Sequence, residues 1–254
     1  MKGIIADLTR LTDMNYAAAI SDTVLRNLEE NTIVLQLMNH KSKNISMGYD
    51  DMKAPYVDKG IQFYKDQGYT VGIRNSGGRS VVNDPGILNW ALLFKTNKPI
   101  EDVYLYLYHF TNNALKPLGI ILDFGEVKGA YCPGTFDFSI DNQKVAGTAQ
   151  RRIRDNTLVG GYISVVGNQQ ERSELIAKFY EITQDELRVD PNKLTTLEEK
   201  SNQELSIDIV KNLFIKHFKE VTSSHTYLDP NALDQTKIEA SKKRIKDAQT
   251  KFIQ

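Results

Sequence analysis

The spacing of hydrophobic and polar positions divides the chain into short strands and helices. Residues 55–67 place Val57, Ile61 and Tyr64 on one helical face before Gly68. Residues 100–115 alternate tyrosines with apolar residues, as a strand does, but their length and the lack of a breaker before Pro117 favour a helix. The pattern predicts helices over 17–28, 55–67 and 100–115, and strands over 32–38, 70–74, 80–82, 87–94, 120–124, 136–140, 144–150 and 158–166.

From residue 169 onward the pattern is helical. Leu175, Ile176 and Phe179 belong to one apolar stripe, a second lies within 205–214, and 232–253 predicts a last helix. Because strands and helices interleave without a regular strand–helix–strand repeat, the predicted class is α+β. The Asp190-Pro191-Asn192 turn predicts a boundary between an α+β body, residues 1–190, and a helical C-terminal extension, residues 191–254.

Composition narrows the possible functions. The 254 residues carry 32 Lys+Arg against 32 Asp+Glu, which gives no general signal for nucleic acid or a charged membrane surface. A single cysteine excludes an intramolecular disulfide framework and a Cys-rich zinc site. The first residues contain too short an apolar stretch for a secretory signal, so we expect a cytoplasmic protein.

A glycine-rich turn, Arg74-Asn75-Ser76-Gly77-Gly78, lies between two predicted strands. Paired glycines let the backbone approach a ligand closely, and the neighbouring arginine and serine could hold an acyl carbonyl or a phosphate. A plain hairpin turn explains the same spacing. The turn lacks the Gly-Lys-Ser/Thr ending of a P-loop and the third glycine of a dinucleotide fingerprint.

The lone cysteine, Cys132, precedes a Pro-Gly turn and is therefore predicted to lie in a loop. A nucleophilic thiol needs a nearby base or cation, and Lys144 is the candidate. If 136–140 and 144–150 form a hairpin, the two residues are about 20 Å apart at ordinary strand rise unless the Cys132 loop folds back. Spacing alone leaves a catalytic and a structural thiol equally open.

A Cys–His or metal site is less well supported. The four histidines lie in unrelated segments without a partner at ligand spacing, and those in aromatic-rich helical stretches fit structural roles better. We therefore expect no metal site. The residues concerned are His40, His109, His217 and His225.

Several separated motifs, between about residues 33 and 180, together resemble a known family. They are the Arg74–Gly78 turn, Asn83-Asp84-Pro85-Gly86-Ile87-Leu88-Asn89, Met47-Gly48-Tyr49-Asp50-Asp51 ahead of Pro55-Tyr56 and Gly60, Tyr131-Cys132-Pro133-Gly134-Thr135-Phe136-Asp137, and Asn142-Gln143-Lys144-Val145-Ala146-Gly147-Thr148-Ala149-Gln150-Arg151-Arg152. The combination resembles the biotin/lipoate protein ligase superfamily, and within it the branch that transfers octanoyl groups from the glycine-cleavage H protein.

The resemblance implies a mixed sheet flanked by helices. The helical extension, 191–254, lies beyond the resemblance, and we expect it to pack on the acyltransferase domain. It implies that Cys132 forms an acyl thioester and that Lys144 lowers the pKa of this nucleophile and contacts the acyl carbonyl. The implied donor is the H protein, the acceptors are lipoyl domains of 2-oxoacid dehydrogenases, and no separate cofactor or ATP is needed. The implied acyl-binding residues are Arg74, Ser76, Gly77, Gly78, Asn83, Asp84, Gly147, Thr148 and Ala149.

A basic strand end follows the lysine motif. Arg151, Arg152 and Arg154 are expected to dock acidic lipoyl domains, although a solvated strand edge explains them equally. Two positions depart from the family pattern. Arg79 replaces a small or aliphatic residue, which could alter the acyl tunnel, and Asn83 replaces the histidine of ATP-dependent ligases. An ATP-dependent lipoate–protein ligase and a non-catalytic lipoyl-domain binder remain the alternatives.

Overall fold

The computed structural model describes residues 1–74 and 78–250. Its strands are β1 (Lys2–Asp7), β2 (Thr32–Met38), β3 (Asn44–Met47), β4 (Thr70–Ile73), β5 (Val81–Asn83), β6 (Ile87–Lys95), β7 (Asp123–Phe124), β8 (Phe138–Ile140), β9 (Gln143–Ile153), β10 (Asn156–Ser164) and β11 (Ser224–Tyr227). Its α-helices are α1 (Met14–Arg26), α2 (Val57–Asp66), α3 (Ile100–Leu115), α4 (Gln169–Thr183), α5 (Leu197–Ser201), α6 (Ile207–Val221) and α7 (Gln235–Thr250).

Within the described residues the strands form two sheets. The larger has eight strands in the order β11-β1-β2-β6-β10-β9-β8-β7, and the smaller has the order β4-β3-β5. β1 runs parallel to both of its neighbours, whereas β2, β6, β10, β9, β8 and β7 pair antiparallel in turn. This mixed sheet with flanking helices confirms the predicted α+β class.

Helices α3 and α6 cover one face of the large sheet. Val103, Leu107 and Phe110 are buried at helical spacing along α3, which explains why this segment is a helix despite its alternating tyrosines. Trp90 of β6 packs against Phe214 of α6, with ring centroids 6.0 Å apart. These contacts build the main hydrophobic core of the protein.

A second hydrophobic core joins the small sheet to the large one. Tyr64 of α2 stacks on Phe179 of α4, with ring centroids 4.7 Å apart. The two helices approach closely at Gly60, because a Cβ there would lie 2.4 Å from the Phe179 ring. Tyr131 and Tyr162 are buried in the same core, on the side of the sheet opposite α3. This second core therefore surrounds the Cys132 loop.

Residues after 190 form part of the large sheet and of the helical layers packed on it. β11 extends the large sheet beside β1, α6 enters the main core, and α7 packs on α1. Leu194 forms a bridge with Lys144, and a Cβ on Gly129, in the Cys132 loop, would lie 3.4 Å from the Lys193 side chain. The tail thus contacts both the Cys132 loop and the Lys144 strand. The proposed boundary at 190 stays a prediction.

Several elements differ from the sequence prediction. β1, β3 and β11 were not predicted, and only Asp123–Phe124 of the predicted strand 120–124 is a strand. The last helix, predicted over 232–253, is present over Gln235–Thr250; residues 232–234 are described and precede the helix, and residues 251–253 lie outside the described part of the chain. Along residues 1–74 and 78–250, every helix is too short or too polar to cross a membrane.

Candidate active site

Cys132 occupies a tightly folded loop between β7 and β8. Its φ angle is +44°, a left-handed conformation that is uncommon for residues other than glycine, asparagine and aspartate. The preceding Tyr131 is buried, and its hydroxyl accepts a hydrogen bond from Gln169 at 3.2 Å. Cys132 itself is only partly buried. Tyr131 therefore fixes the backbone of the loop in the core, while the Cys132 side chain stays partly exposed to solvent.

Lys144 holds this loop against the sheet. Its buried Nζ donates to the carbonyl oxygens of Tyr131, at 3.1 Å, and Cys132, at 2.6 Å. It also forms an ion pair with Asp137, with 2.7 Å between Nζ and Oδ2. The loop thus folds back, as the nucleophile hypothesis requires. Because an ammonium has three protons, these partners use the full donor capacity of Lys144 in this conformation.

Asp137 is the counter-charge that allows Lys144 to be buried. Its Oδ2 accepts the Gly134 amide at 2.8 Å, and its Oδ1 accepts the Thr148 amide at 3.4 Å. Burial raises the pKa of Asp137, and Lys144 opposes this shift. Sequence reasoning did not assign this residue a role. The sequence does contain a sign of it: a carboxylate between Phe136 and Phe138 indicates a buried charge, and a buried charge needs a partner of opposite sign.

The thiol faces the glycine-rich turn. The Arg79 backbone amide donates to Cys132 Sγ at 3.3 Å, and Arg74 Nη2 lies 3.7 Å from the same sulfur. A Cβ on Gly78 would lie 3.2 Å from Sγ. The sulfur thus accepts a backbone hydrogen bond and lies beside a guanidinium. Ser76 and Gly77, predicted to bind the acyl group, lie outside the described residues.

The Arg79 side chain extends into a separate polar cluster. It pairs with Asp185 at 2.6 Å and approaches Asp51 at 3.8 Å. Asp51 is buried and accepts hydrogen bonds from Ser80 at 2.8 Å and Tyr180 at 2.9 Å. Burial raises the pKa of Asp51. Arg79 therefore presents its amide to the thiol, while its guanidinium ties the turn to the segment after α4.

A β-bulge places Lys144 on the same face of β9 as Gly147, a predicted acyl-binding residue. On β8, Phe138 pairs with Ala146 whereas the next residue, Ser139, pairs with Lys144, so β9 contains one extra residue at Val145. Val145 and Ala146 both enter the main core. Lys144 and Gly147 consequently share the opposite face, although residues three apart on a regular strand point in opposite directions.

The lipoyl protein ligase A/B catalytic domain family matches this chain over residues 13–219. The chain belongs to this family. An octanoyl-[GcvH]:protein N-octanoyltransferase of Geobacillus kaustophilus is 39% identical over 202 residues, which are 75% of this chain and 67% of the relative. A lipoyl-[GcvH]:protein N-lipoyltransferase of Listeria monocytogenes is 34% identical over 176 residues, 65% of this chain and 63% of the relative.

Solved structures of the family have the same fold. Lipoate-protein ligase A bound with ATP superposes with a TM-score of 0.75 at 18% identity, over 97% of this chain and 95% of that chain. The bipartite lipoate protein ligase of Thermoplasma acidophilum gives 0.68 at 18% identity, over 97% and 91% of the two chains. This chain therefore has the fold of these lipoate-protein ligases.

The other predicted acyl-binding residues lie on β9 and around the turn between β5 and β6. Strand alternation places Gly147 and Ala149 on one face, while the Thr148 hydroxyl donates to the Phe136 carbonyl at 2.6 Å. Asn83 is buried and accepts from Asn89 at 3.1 Å. Both Asp84 carboxylate oxygens bond to Arg172, each at 2.7 Å, so Asp84 links its turn to α4. Their roles toward an acyl group remain predictions.

The three arginines expected to dock a partner do not form one patch. Arg151 pairs with the buried Asp22 at 2.8 Å. Arg152 donates to the Lys98 carbonyl at 2.8 Å near the start of α3, and Arg154 is exposed in the β9–β10 turn. Alternation along β9 therefore sends Arg151 and Arg152 to opposite faces of the sheet.

Proposed function

We propose that this protein is an acyl amidotransferase of protein lipoylation. It moves an octanoyl or lipoyl group from a lysine amide of the glycine-cleavage H protein to a lysine of a 2-oxoacid dehydrogenase lipoyl domain. The acyl group passes through a thioester on Cys132, and the reaction needs no separate cofactor. The carrying observation is the partly exposed sulfur, which accepts the Arg79 amide at 3.3 Å while Lys144 fixes the loop behind it.

In the first half-reaction the Cys132 thiolate attacks the carbonyl carbon of the donor amide. The new carbon–sulfur bond forms, the carbon–nitrogen bond breaks, and the proton lost by the thiol ends on the departing lysine amine. The Arg79 amide and the Arg74 guanidinium support the anionic sulfur before attack. Lys144 acts by holding the Cys132 backbone and so fixing the position of the thiol.

In the second half-reaction the amine of the acceptor lysine attacks the thioester. A carbon–nitrogen bond forms, the carbon–sulfur bond breaks, and the proton released by the amine returns to sulfur. Because donor and product are both lysine amides, the overall transfer is nearly isoenergetic. An activating nucleotide is therefore unnecessary.

The names of the relatives support transfer from the H protein. Those relatives include enzymes named for octanoyl transfer and one named for lipoyl transfer, so the proposal includes both acyl groups. For acceptor docking we propose Arg154, with Arg151 on the adjacent face, because Arg154 is exposed and Arg151 is about two-fifths exposed. Arg152 is the weaker candidate, since it bonds to the Lys98 carbonyl.

The test is a transfer assay with purified octanoyl-H protein, an unmodified lipoyl domain and no ATP. We expect acylated lipoyl domain to form with the wild-type protein and not with Cys132→Ala. The ligase alternative predicts the opposite pattern: Cys132→Ala would remain fully active with free lipoate and ATP. If the protein only binds lipoyl domains without catalysing transfer, it would form a complex with the lipoyl domain but no acylated product in either assay.

A further inference from the structure

Tyr162 of β10 carries a buried hydroxyl whose role is unassigned. Only 6% of the residue is exposed, and across residues 1–74 and 78–250 its hydroxyl has no hydrogen-bond partner. The neighbouring Tyr131 ring lies 6.2 Å away, centroid to centroid. The Tyr131 hydroxyl accepts a hydrogen bond from Gln169 and lies close enough to the Tyr162 hydroxyl to raise its pKa, but the two hydroxyls form no well-aligned hydrogen bond. The Tyr162 donor is therefore available.

This hydroxyl lies beside the reacting groups. Tyr162 pairs with Gly147 across the β9–β10 ladder, and a Cβ on Gly147 would lie 2.6 Å from the Tyr162 ring and 3.3 Å from its oxygen. Lys144 Nζ is 5.8 Å from the ring centroid. The bulge at Val145 places Lys144 and Gly147 on this same face. The phenol therefore lies between Lys144 and Gly147, a predicted acyl-binding residue.

An unpartnered hydroxyl at this depth is costly. A buried donor without an acceptor loses its hydrogen bonds to water without replacement, and native proteins leave few such groups unexplained. Phenylalanine would fill the same volume without this cost. A hydroxyl at this buried position is therefore explained if a bound ligand supplies its hydrogen-bond acceptor.

We propose that the Tyr162 hydroxyl binds the acyl group by donating a hydrogen bond to its carbonyl oxygen on Cys132. This inference rests on the proposed function. When a nucleophile adds to the carbonyl carbon, the electron pair of the double bond moves to oxygen, and the hydrogen bond strengthens as this charge develops. The hydroxyl keeps its proton throughout, since burial raises the pKa of Tyr162.

The test compares Tyr162→Phe with the wild-type protein in both half-reactions. We expect acylation of Cys132 by octanoyl-H protein, and transfer to the lipoyl domain, to slow by about 10- to 100-fold. The melting temperature should stay the same or rise, because the substitution removes an unsatisfied group. Alkylation of Cys132 by iodoacetamide should proceed at the wild-type rate, since that reaction involves no acyl carbonyl.

Tyr64→Phe is the matched control. Tyr64 also has a buried hydroxyl without a partner in the described chain, but it stacks on Phe179 of α4 and has no placed role in the chemistry. We expect this variant to transfer at the wild-type rate. Wild-type transfer by Tyr162→Phe, or slowed transfer accompanied by a lower melting temperature, would overturn the Tyr162 inference. Absence of transfer by the wild-type protein would instead overturn the proposed function.

Discussion

Lys144 Nζ lies 2.6 Å from the carbonyl oxygen of Cys132, so the lysine bonds to the backbone of the cysteine that it was expected to activate. The sulfur instead receives the Arg79 amide and lies near the Arg74 guanidinium. Positioning of the loop and stabilisation of the sulfur are thus divided between the lysine strand and the glycine-rich turn.

The Lys144–Asp137 pair should be essential for stability as well as for transfer. Asp137→Asn leaves the buried lysine without its counter-charge, and breaking a buried pair in this way costs about 3–5 kcal/mol. We expect urea unfolding to report a loss of this size and the transfer rate to fall. The paired replacement Lys144→Met with Asp137→Leu should recover most of the stability but no transfer. Wild-type stability of Asp137→Asn would contradict this account.

Gly48 should be required by a close backbone contact. A Cβ at this position would lie 1.7 Å from the Gly78 carbonyl oxygen, which a flexible side chain cannot relieve. We expect Gly48→Ala to lower the free energy of unfolding by about 1–3 kcal/mol and to slow transfer, because Gly78 lies against the thiol.

Gly72 provides the control for this substitution. It lies on β4, and a Cβ there would meet nothing within 4 Å. Gly72→Ala should therefore be neutral or slightly stabilising, since it restricts the unfolded chain. Equal effects of the two substitutions on unfolding would show that the Gly48–Gly78 contact is unimportant.

Asp22 should make stability depend on acid pH. The carboxylate bonds to Arg26 and Arg244, and Arg151 adds to the favourable charge; these partners outweigh burial and lower the pKa of Asp22 to about 2. A depressed pKa in the folded state adds stability above the unfolded value of 3.8, and that stability is lost as pH falls through about 2. The wild-type advantage over Asp22→Asn, about 2 kcal/mol, should therefore be full above about pH 5, decline as pH falls through 4 to 2, and be lost near pH 1. A difference that does not vary with pH in urea unfolding would refute this.

Arg154 should contribute to partner docking through its charge. Arg154→Asn keeps a residue that tolerates the left-handed backbone, here φ +58°, while it removes the charge. We expect a KM for the lipoyl domain raised about 3- to 10-fold with unchanged kcat, and a weaker dependence on salt. Lys216→Asn, an exposed residue on α6 across the sheet, is the control and should leave KM unchanged. An equal response of both variants would exclude a specific docking role.

Sequence patterns predicted the elements with strong local signals. The strand at 32–38 and the helix at 100–115 have the predicted bounds, because their apolar residues enter the core directly. β1, β3 and β11 escaped prediction: β3 and β11 have four residues each, β11 is wholly exposed, and β1 mixes buried and exposed positions without regular alternation. Such strands form because their backbones pair with a neighbour, and local patterns carry little information about that neighbour.

The chemistry of the site was only partly readable from the sequence. The motif pointed to Cys132 and Lys144, but strand rise alone separated them by about 20 Å. The loop that folds back, the extra residue at Val145 and the buried partner Asp137 join them in the structure. Each of these depends on contacts between segments, so spacing along one strand could not reveal it.

The central claim is that the acyl group passes through a thioester on Cys132. The most direct measurement is intact-mass analysis after brief incubation with octanoyl-H protein in the absence of an acceptor. The account predicts a gain of one octanoyl mass, removal of that mass by neutral hydroxylamine or by added lipoyl domain, and no gain with Cys132→Ala. Transfer to the lipoyl domain by Cys132→Ala at the wild-type rate, with no adduct on the wild-type protein, would contradict it.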